Sequence, residues 1–500
     1  MRVLFVASEA FPLAKTGGLA DVSGALPRAL VALGVDVELI MPGYPQALLA
    51  VEAKNVEREF LGPFGKSSLI RARMPHSELP VWLVDCPALF GRAGSLYQDQ
   101  HGHDWADNAV RFAHFCDIAA RLAAGELVAD YRADVVHAND WHTGLVPLYL
   151  QRASIPPPTL FTIHNLAYQG LFPASVLPSL GLPSDVFSPD GIEFYGNISL
   201  LKAGIQFSDR ITTVSPSYAR EIMTEEYGCK LDGLLRHRKD RTVGILNGVD
   251  YDIWDPCRDP HLPASFATCD WSGKALCKAA LQRELGLESD PHIPLVVWLS
   301  RITDQKMADV VCHALAALLE RDIQLAILGQ GDHALELQFE DAAEQHPGRL
   351  AVRVGYEEPL AHRFHAGADL LLHPCRFEPC GLTPLYALRY GTLPVVRHVG
   401  GLSDTIVDAT QWTIQTGSAT GFAFQEPTAS AMLNCLDRAL AFYRRPAVWR
   451  TMQERAMSRK FGWDISARRY LALYRRLAPQ VTPRPALLPD RAAVIKRAFG

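Results

Sequence analysis

Arg2-Val3-Leu4-Phe5-Val6-Ala7-Ser8, with Lys15-Thr16-Gly17-Gly18-Leu19-Ala20-Asp21 close behind it, decides the fold. The first segment reads as a buried strand over 3–8, because its apolar run is unbroken and too short for a helix. The second turns that strand into a helix over 19–33, stopped by Gly34, and 35–41 supplies the next strand. Strand, loop, helix, strand is the repeating unit of a doubly wound parallel sheet. Pro27 falls inside the helical stretch, so a kink or two shorter helices are expected there. Apolar runs at 81–84, 134–137 and 160–164 continue the series as parallel strands, each ending in a polar residue.

The same grammar restarts after Pro291. Strands are expected at 295–300, 324–328, 350–354, 369–373 and 393–396, with helices at 309–320, 334–345 and 383–390. Two runs of alternation predict an α/β protein of two doubly wound Rossmann-like domains facing a central cleft. Turn signals crowd between 247 and 291: Asn247-Gly248, Asp255-Pro256 and Asp259-Pro260. The expected domains are therefore 1–250 and 251–460. A helical stretch over 461–478 would cross back to the first domain, and a proline-rich tail over 479–500 has no assigned form.

Composition supports this reading. Five hundred residues with 48% apolar and 21% charged side chains can bury two cores and are not predominantly disordered. Lys+Arg number 49 and Asp+Glu 54, a net −5, which gives no reason to expect nucleic acid or an anionic membrane as partner. No apolar run approaches a membrane span, and the N-terminal run breaks at Glu9, too soon for a secretory signal. Ten cysteines include no Cys-x-x-Cys pair, which points to a reducing, cytoplasmic setting.

Several loops can carry chemistry. Gly17 and Gly18 let backbone N–H groups approach a ligand at a helix N-terminus, and Lys15 adds a charge; a tight turn alone uses the same glycines. The segment repeats as Gly400-Gly401-Leu402-Ser403-Asp404. Ser300-Arg301-Ile302-Thr303-Asp304-Gln305-Lys306 follows a strand, where open α/β sheets bind ligands, so Arg301 and Lys306 can converge on a diphosphate. Arg376-Phe377-Glu378-Pro379-Cys380-Gly381-Leu382-Thr383 follows another strand; Thr383 can cap the next helix, and Glu378 can grip sugar hydroxyls or serve the helix dipole. Asp140, His164 and Asn165 end strands of the first domain. His137, His142 and His164 match no compact zinc spacing. Asp250-Tyr251-Asp252 has the form of a metal-holding Asp-x-Asp, but its turn-rich context favours a hinge.

Taken together, these blocks resemble the bacterial glycogen synthase family of retaining, starch-synthase-like glucosyltransferases. The resemblance runs from 3 to about 476 and also rests on His164-Asn165-Leu166-Ala167-Tyr168-Gln169-Gly170, Leu246-Asn247-Gly248-Val249-Asp250 and Tyr390-Gly391-Thr392-Leu393-Pro394. It implies a GT-B fold, ADP-glucose as donor, an α-1,4-glucan extended at its non-reducing end, and no cofactor or metal. The first domain would take the acceptor and the second the nucleotide. Position by position, it implies catalytic roles for Lys15, Asp140, His164, Arg301, Lys306 and Glu378. It also implies donor contacts from Lys15, Gly17, Gly18, Asp21, Tyr97, Asn165, Asn247, Arg301, Lys306, Tyr356, Cys380, Leu382 and Thr383.

Two positions depart from the family's pattern. Met307 stands where the family has glycine, which predicts strain or a shifted loop if that glycine has a positive φ. Pro384 stands where glutamine is usual, and Tyr386, where the wider group of retaining transferases carries a second glutamate, is what the resemblance to the glycogen-synthase branch implies. The alternatives are a GT-B transferase using UDP-glucose or another acceptor, and a catalytically silent glucan-binding protein on the same fold.

Overall fold

The computed structural model describes residues 1–62 and 64–479. The chain divides into two units. Met1–Val214, Ala219–Gly248 and the stretch beginning at Trp463 form the first; Ser215–Tyr218 and Val249–Gly462 form the second.

Among the described residues the first unit's main sheet has nine strands, in the order Thr242–Gly244, Arg210–Thr213, Thr159–Ile163, Val135–Asn139, Arg2–Val6, Asp36–Pro42, Pro80–Asp85, Gly65–Arg73 and Glu52–Gly62. All pairs from Thr242–Gly244 across to Pro80–Asp85 are parallel. Val135–Asn139 and Thr159–Ile163 are buried at every position, as expected for strands covered on both faces. The last two strands form an antiparallel hairpin that no apolar run announces. Glu52–Gly62 is exposed along almost its whole length and rich in charge, which suits a solvent-facing sheet edge.

Pro27 breaks nothing. One helix runs Gly18–Ala32 through it, rather than two shorter ones. Leu19, Val22, Leu26, Pro27 and Leu30 are all buried, and that continuous apolar face outweighs the one backbone hydrogen bond proline removes. The C-terminal helix Trp463–Leu477 packs against this helix. Tyr474 Oη meets His137 Nδ1 at 2.7 Å, and the Ser466 hydroxyl donates to the Leu246 carbonyl. A Cβ on Gly248 would stand 2.7 Å from Trp463 Cα, so the chain's approach there requires glycine.

The second unit holds a parallel sheet in the order Leu350–Val354, Gln324–Gly329, Leu295–Leu299, Leu370–His373, Leu393–Arg397 and Phe422–Phe424. Chain order thus reverses between Leu295–Leu299 and Leu370–His373, and ligands of doubly wound sheets bind at the carboxyl ends of the strands beside such a switch. In the first unit the corresponding reversal lies between Arg2–Val6 and Val135–Asn139. The helix expected over 309–320 is instead two, Ala308–His313 and Leu315–Leu319, parted at Ala314 (φ −86°, ψ 0°). All ten cysteines are free thiols. No described helix is long and apolar enough to cross a membrane. The expected tail lies outside the described residues from 480 onward.

Candidate active site

Lys15, Gly17, Gly18, Asp21 and Asp140 follow the two strands at the first unit's switch, His164 and Asn165 follow the neighbouring strand Thr159–Ile163, and Asn247 follows the edge strand Thr242–Gly244. The loop after Arg2–Val6 is tied by Glu9, whose Oε2 accepts from Thr16 N–H at 2.5 Å and Thr16 Oγ1 at 2.8 Å. Lys15 follows from that anchor: its Nζ lies 2.8 Å from Asp21 Oδ1 and 5.3 Å from the centre of the Phe11 ring. Gly17 caps helix Gly18–Ala32, and a Cβ there would meet nothing within 4 Å, so the helix N-terminus is approachable. Burial pushes the Glu9 carboxyl up to about 7 against the Thr16 hydrogen bonds, with the charges of Asp21 and Asp140 adding to the rise.

Asp140 begins where Val135–Asn139 ends and adopts φ +59°, ψ 179°, a backbone region that side-chain-bearing residues seldom occupy. Its Oδ1 accepts from His164 N–H at 2.7 Å, which fastens one strand end to the next. Burial raises this carboxyl to about 7 against the backbone N–H groups of His164 and Asn165. His164 is buried enough for its pKa to fall to about 3, so the ring is neutral. Asn139 sets its tautomer. Its Nδ2 donates to Val6 O and His137 O, so its Oδ1 accepts from His164 Nε2–H at 3.0 Å. Tyr97 Oη lies 2.8 Å from Ser8 Oγ, and its ring stacks on His142 at 4.4 Å. His137 is held by Tyr474 and Thr162, a structural role. Asn165 Oδ1 accepts from Ala167 N–H. Asn247 is buried, and its Oδ1 has no hydrogen-bond partner among the described residues.

Arg301, Lys306 and Glu378 follow the two strands that flank the second unit's switch, whereas Tyr356 follows the edge strand Leu350–Val354. Leu295–Leu299 runs into Arg301, which is exposed, and a short 3-10 turn Asp304–Lys306. Met307 ends that turn at φ +52°, ψ 35°, the left-handed conformation glycine favours, with its side chain fully buried. Lys306 pairs with Glu378, which comes from the loop after Leu370–His373. Glu378 Oε2 also receives His373 Nε2 at 3.0 Å and Cys375 Sγ at 3.3 Å. Burial alone would raise the Glu378 carboxyl, but the Lys306 charge and the His373 hydrogen bond hold it well below the usual carboxylate range. Burial lowers the His373 pKa, with Lys306 adding to the effect, so this ring too is neutral.

Gly381, at φ +84°, caps helix Leu382–Arg389, and a Cβ there would lie 2.7 Å from Leu402 Cδ2. Thr383 lies inside the helix and caps nothing, a correction to the sequence reading: the glycine's backbone makes the turn. The Gly400–Thr405 helix packs on this loop; Gly401 N–H donates to the Glu378 carbonyl, and a Cβ on Gly401 would come 2.3 Å from Cys380 O. Cys380 is buried, and Leu382 and Thr383 are half-buried. Tyr356 is 54% exposed, with its hydroxyl on Glu358. Tyr386 belongs to the core, stacked on Trp254, which also stacks on His362. Asp250 Oδ1 accepts from Asp252 N–H and Asp252 pairs with Arg258, the pattern of a turn.

Sequence reasoning missed Glu9, Asn139, His373 and Cys375. Each directs a neighbour rather than completing a motif; the signal for all four was a polar residue at or just beyond a strand's carboxyl end. His373, Cys375 and Glu378 have ligand atoms within 4.8 Å of one another and form a metal-capable set. The Lys306 ammonium already supplies the positive charge there.

A family model described as the starch synthase catalytic domain matches residues 2–237, and one described as glycosyl transferases group 1 matches 282–451. A glycogen synthase of Burkholderia thailandensis is 52% identical over 95% of this chain and 91% of its own length. One from Paramagnetospirillum magneticum is 50% identical over 95% and 98%. Among solved structures, the catalytic domain of starch synthase IV from Arabidopsis thaliana, bound to ADP and acarbose, superposes with a TM-score of 0.87 at 33% identity, covering 95% of this chain and 99% of that one.

Proposed function

The chain belongs to the bacterial glycogen synthase family, a GT-B fold, and from that premise we propose that it transfers glucose from ADP-glucose to the non-reducing end of an α-1,4-glucan with retention of configuration. One observation carries the reading: Lys306 and Glu378 are paired where the second sheet reverses its strand order, and Arg301 shares the Lys306 loop. Two cations at that place suit a diphosphate, whose negative charge grows as the sugar leaves. Preorganised charge of this kind is worth about 3–4 kcal/mol per contact.

In this proposal the acceptor's 4-hydroxyl attacks the anomeric carbon on the face from which ADP departs. The bond from the anomeric carbon to the phosphate oxygen breaks, the new glycosidic bond forms, and the hydroxyl proton passes to the leaving phosphate. Glu378, kept ionised by Lys306, accepts from donor-sugar hydroxyls. Neutral His164 offers the sugar an uncharged ring, with Tyr97 beside it, and the exposed ring of Tyr356 stacks on adenine. Lys15, the Gly17–Gly18 backbone, Asp21, Asn165 and Asn247 complete the donor contacts, as do the backbone around Cys380 and Leu382 and the Thr383 side chain. The second unit takes the nucleotide and the first the glucan, in the cytoplasm, without a metal.

The test is incorporation of labelled glucose into glycogen primer from ADP-glucose and from UDP-glucose, each with and without EDTA. Incorporation chiefly from ADP-glucose and indifferent to EDTA is expected. Preference for UDP-glucose would overturn the donor assignment, and EDTA inhibition reversed by Mg²⁺ would overturn the metal-free mechanism.

A further inference from the structure

Three donors converge on a single oxygen of Glu378, and only one of them brings charge. Lys306 supplies the ion pair, but an ammonium on a four-carbon stem neutralises without fixing orientation. His373 and Cys375 differ from it. His373 is the last residue of strand Leu370–His373 and is 2% exposed; Cys375, two residues on, is 0% exposed. Neither side chain has room to swing, and both hydrogen bonds reach Oε2. Among the described residues Oε1 accepts no hydrogen bond.

The backbone of this loop is already fixed. Arg397 Nη1 donates to the carbonyls of Arg376 and Cys375, and Gly401 N–H donates to the carbonyl of Glu378. The freedom that remains is rotation of the Glu378 carboxylate about its own side chain. Because His373 is neutral and Glu378 is ionised, the proton on Nε2 is donated toward Oε2, and the bond adds direction rather than charge. His373 Nδ1 is then the bare nitrogen, buried and without a partner among the described residues.

We propose that His373 and Cys375 are positioning residues: they lock Glu378 through Oε2 so that Oε1 is presented to the hydroxyls of the donor sugar. The inference rests on the reading of Glu378 as the group that holds donor glucose.

The experiment compares His373→Leu with His373→Gln and Cys375→Ala with Cys375→Ser, measuring kcat and KM for ADP-glucose and for primer in the full chain, with melting temperature alongside. The Leu and Ala variants are expected to lose about tenfold or more in kcat/KM for ADP-glucose, the usual weight of a hydrogen bond to a charged group. KM for primer should stay within about twofold, because Glu378 is not assigned to the acceptor. Gln and Ser, which restore an N–H or O–H donor, should recover most of the loss. Equal losses in the Gln and Leu pair and in the Ser and Ala pair would mean packing, not donation, and would overturn the proposal. If His373→Leu does not fold, the cysteine pair decides by itself. Glu378→Gln separates the two ideas. Full activity in that variant would overturn the underlying reading; loss there with unchanged rates in His373→Leu and Cys375→Ala would overturn this inference alone.

Discussion

Glu9 and Asp140 in the first unit and Glu378 in the second are about equally hidden from solvent, at 3%, 7% and 6% exposure, yet they end in opposite states. Glu9 and Asp140 receive only N–H and O–H dipoles, and burial lifts both carboxyls to about 7. Glu378 receives a full positive charge, and its pKa falls well below the carboxylate range despite the same burial. Whether a buried acid keeps its charge depends on its partner, and that choice divides the work: a permanently ionised acceptor in one unit, and in the other two acids poised near neutrality.

The largest test removes the partner. Lys306→Ala should lower kcat by at least about 10²–10³-fold, because it deletes a preorganised cation from the proposed leaving-group site. It should also destabilise the second unit by about 3–5 kcal/mol, since Glu378 is left buried without a counter-charge. Turnover near that of the parent would remove Lys306 from the diphosphate. An unchanged urea midpoint would show that Glu378 does not depend on it for its charge.

Next in size is a difference in pH dependence with opposite signs in the two units. Glu9 holds its proton to about 7 when folded and to 4.5 in its ordinary state. Between those values the native state binds more protons than the unfolded chain, so its contribution to stability falls as pH rises. Glu9→Gln, which keeps an acceptor for Thr16, removes that fall. The variant should match the parent near pH 4 and exceed it by up to about 3 kcal/mol at pH 8 in urea titrations. Glu378 behaves in reverse. Its depressed folded pKa contributes stability that is full above 4.5 and is lost as pH falls below it, so the penalty of Glu378→Gln should shrink toward acid. Parallel pH curves for the two variants would erase the contrast.

Met307 sets a backbone term against a packing term beside the same lysine. Replacing it with glycine relieves a left-handed conformation worth about 1–2 kcal/mol but empties a fully buried side chain, a loss of about 2–5 kcal/mol. Packing wins, so Met307→Gly should be less stable by about 2 kcal/mol while keeping kcat within a few-fold. A gain in stability would mean the expected strain dominates.

Much of this arrangement was open to sequence reading because it is written in runs. The strands beginning at Arg2, Leu295 and Leu370 are uninterrupted apolar stretches, and the loops after them carry the glycines and cations that define the switch points. What escaped is written in pairs. The hairpin Glu52–Gly62 with Gly65–Arg73 is held by cross-strand partners and lacks a continuous apolar run. Helix Gly18–Ala32 survives Pro27 through packing that no local rule sees. Gly381 makes the turn that Thr383 was expected to cap, since a positive φ outranks a side-chain cap. The hydrogen bonds from His164 to Asn139 and to Asp140 join residues brought together only by strand order.

The smallest expected effect is the sharpest control on the comparison. Arg376, two residues before Glu378, makes a fork with both Asp309 oxygens, at 2.8 and 2.7 Å, better geometry than many buried pairs show. Asp309 is 49% exposed and Arg376 33%. Water therefore solvates either partner when the other is removed, and Asp309→Ala should change stability by no more than about 1 kcal/mol, with kcat unaltered. Salt should erase even that, since screening acts on exposed charges first. A loss comparable to that of Lys306→Ala would mean that geometry, not the withdrawal of solvent, sets the strength of the Lys306–Glu378 pair. The opposed behaviour of Glu9 and Glu378 would then need a different cause.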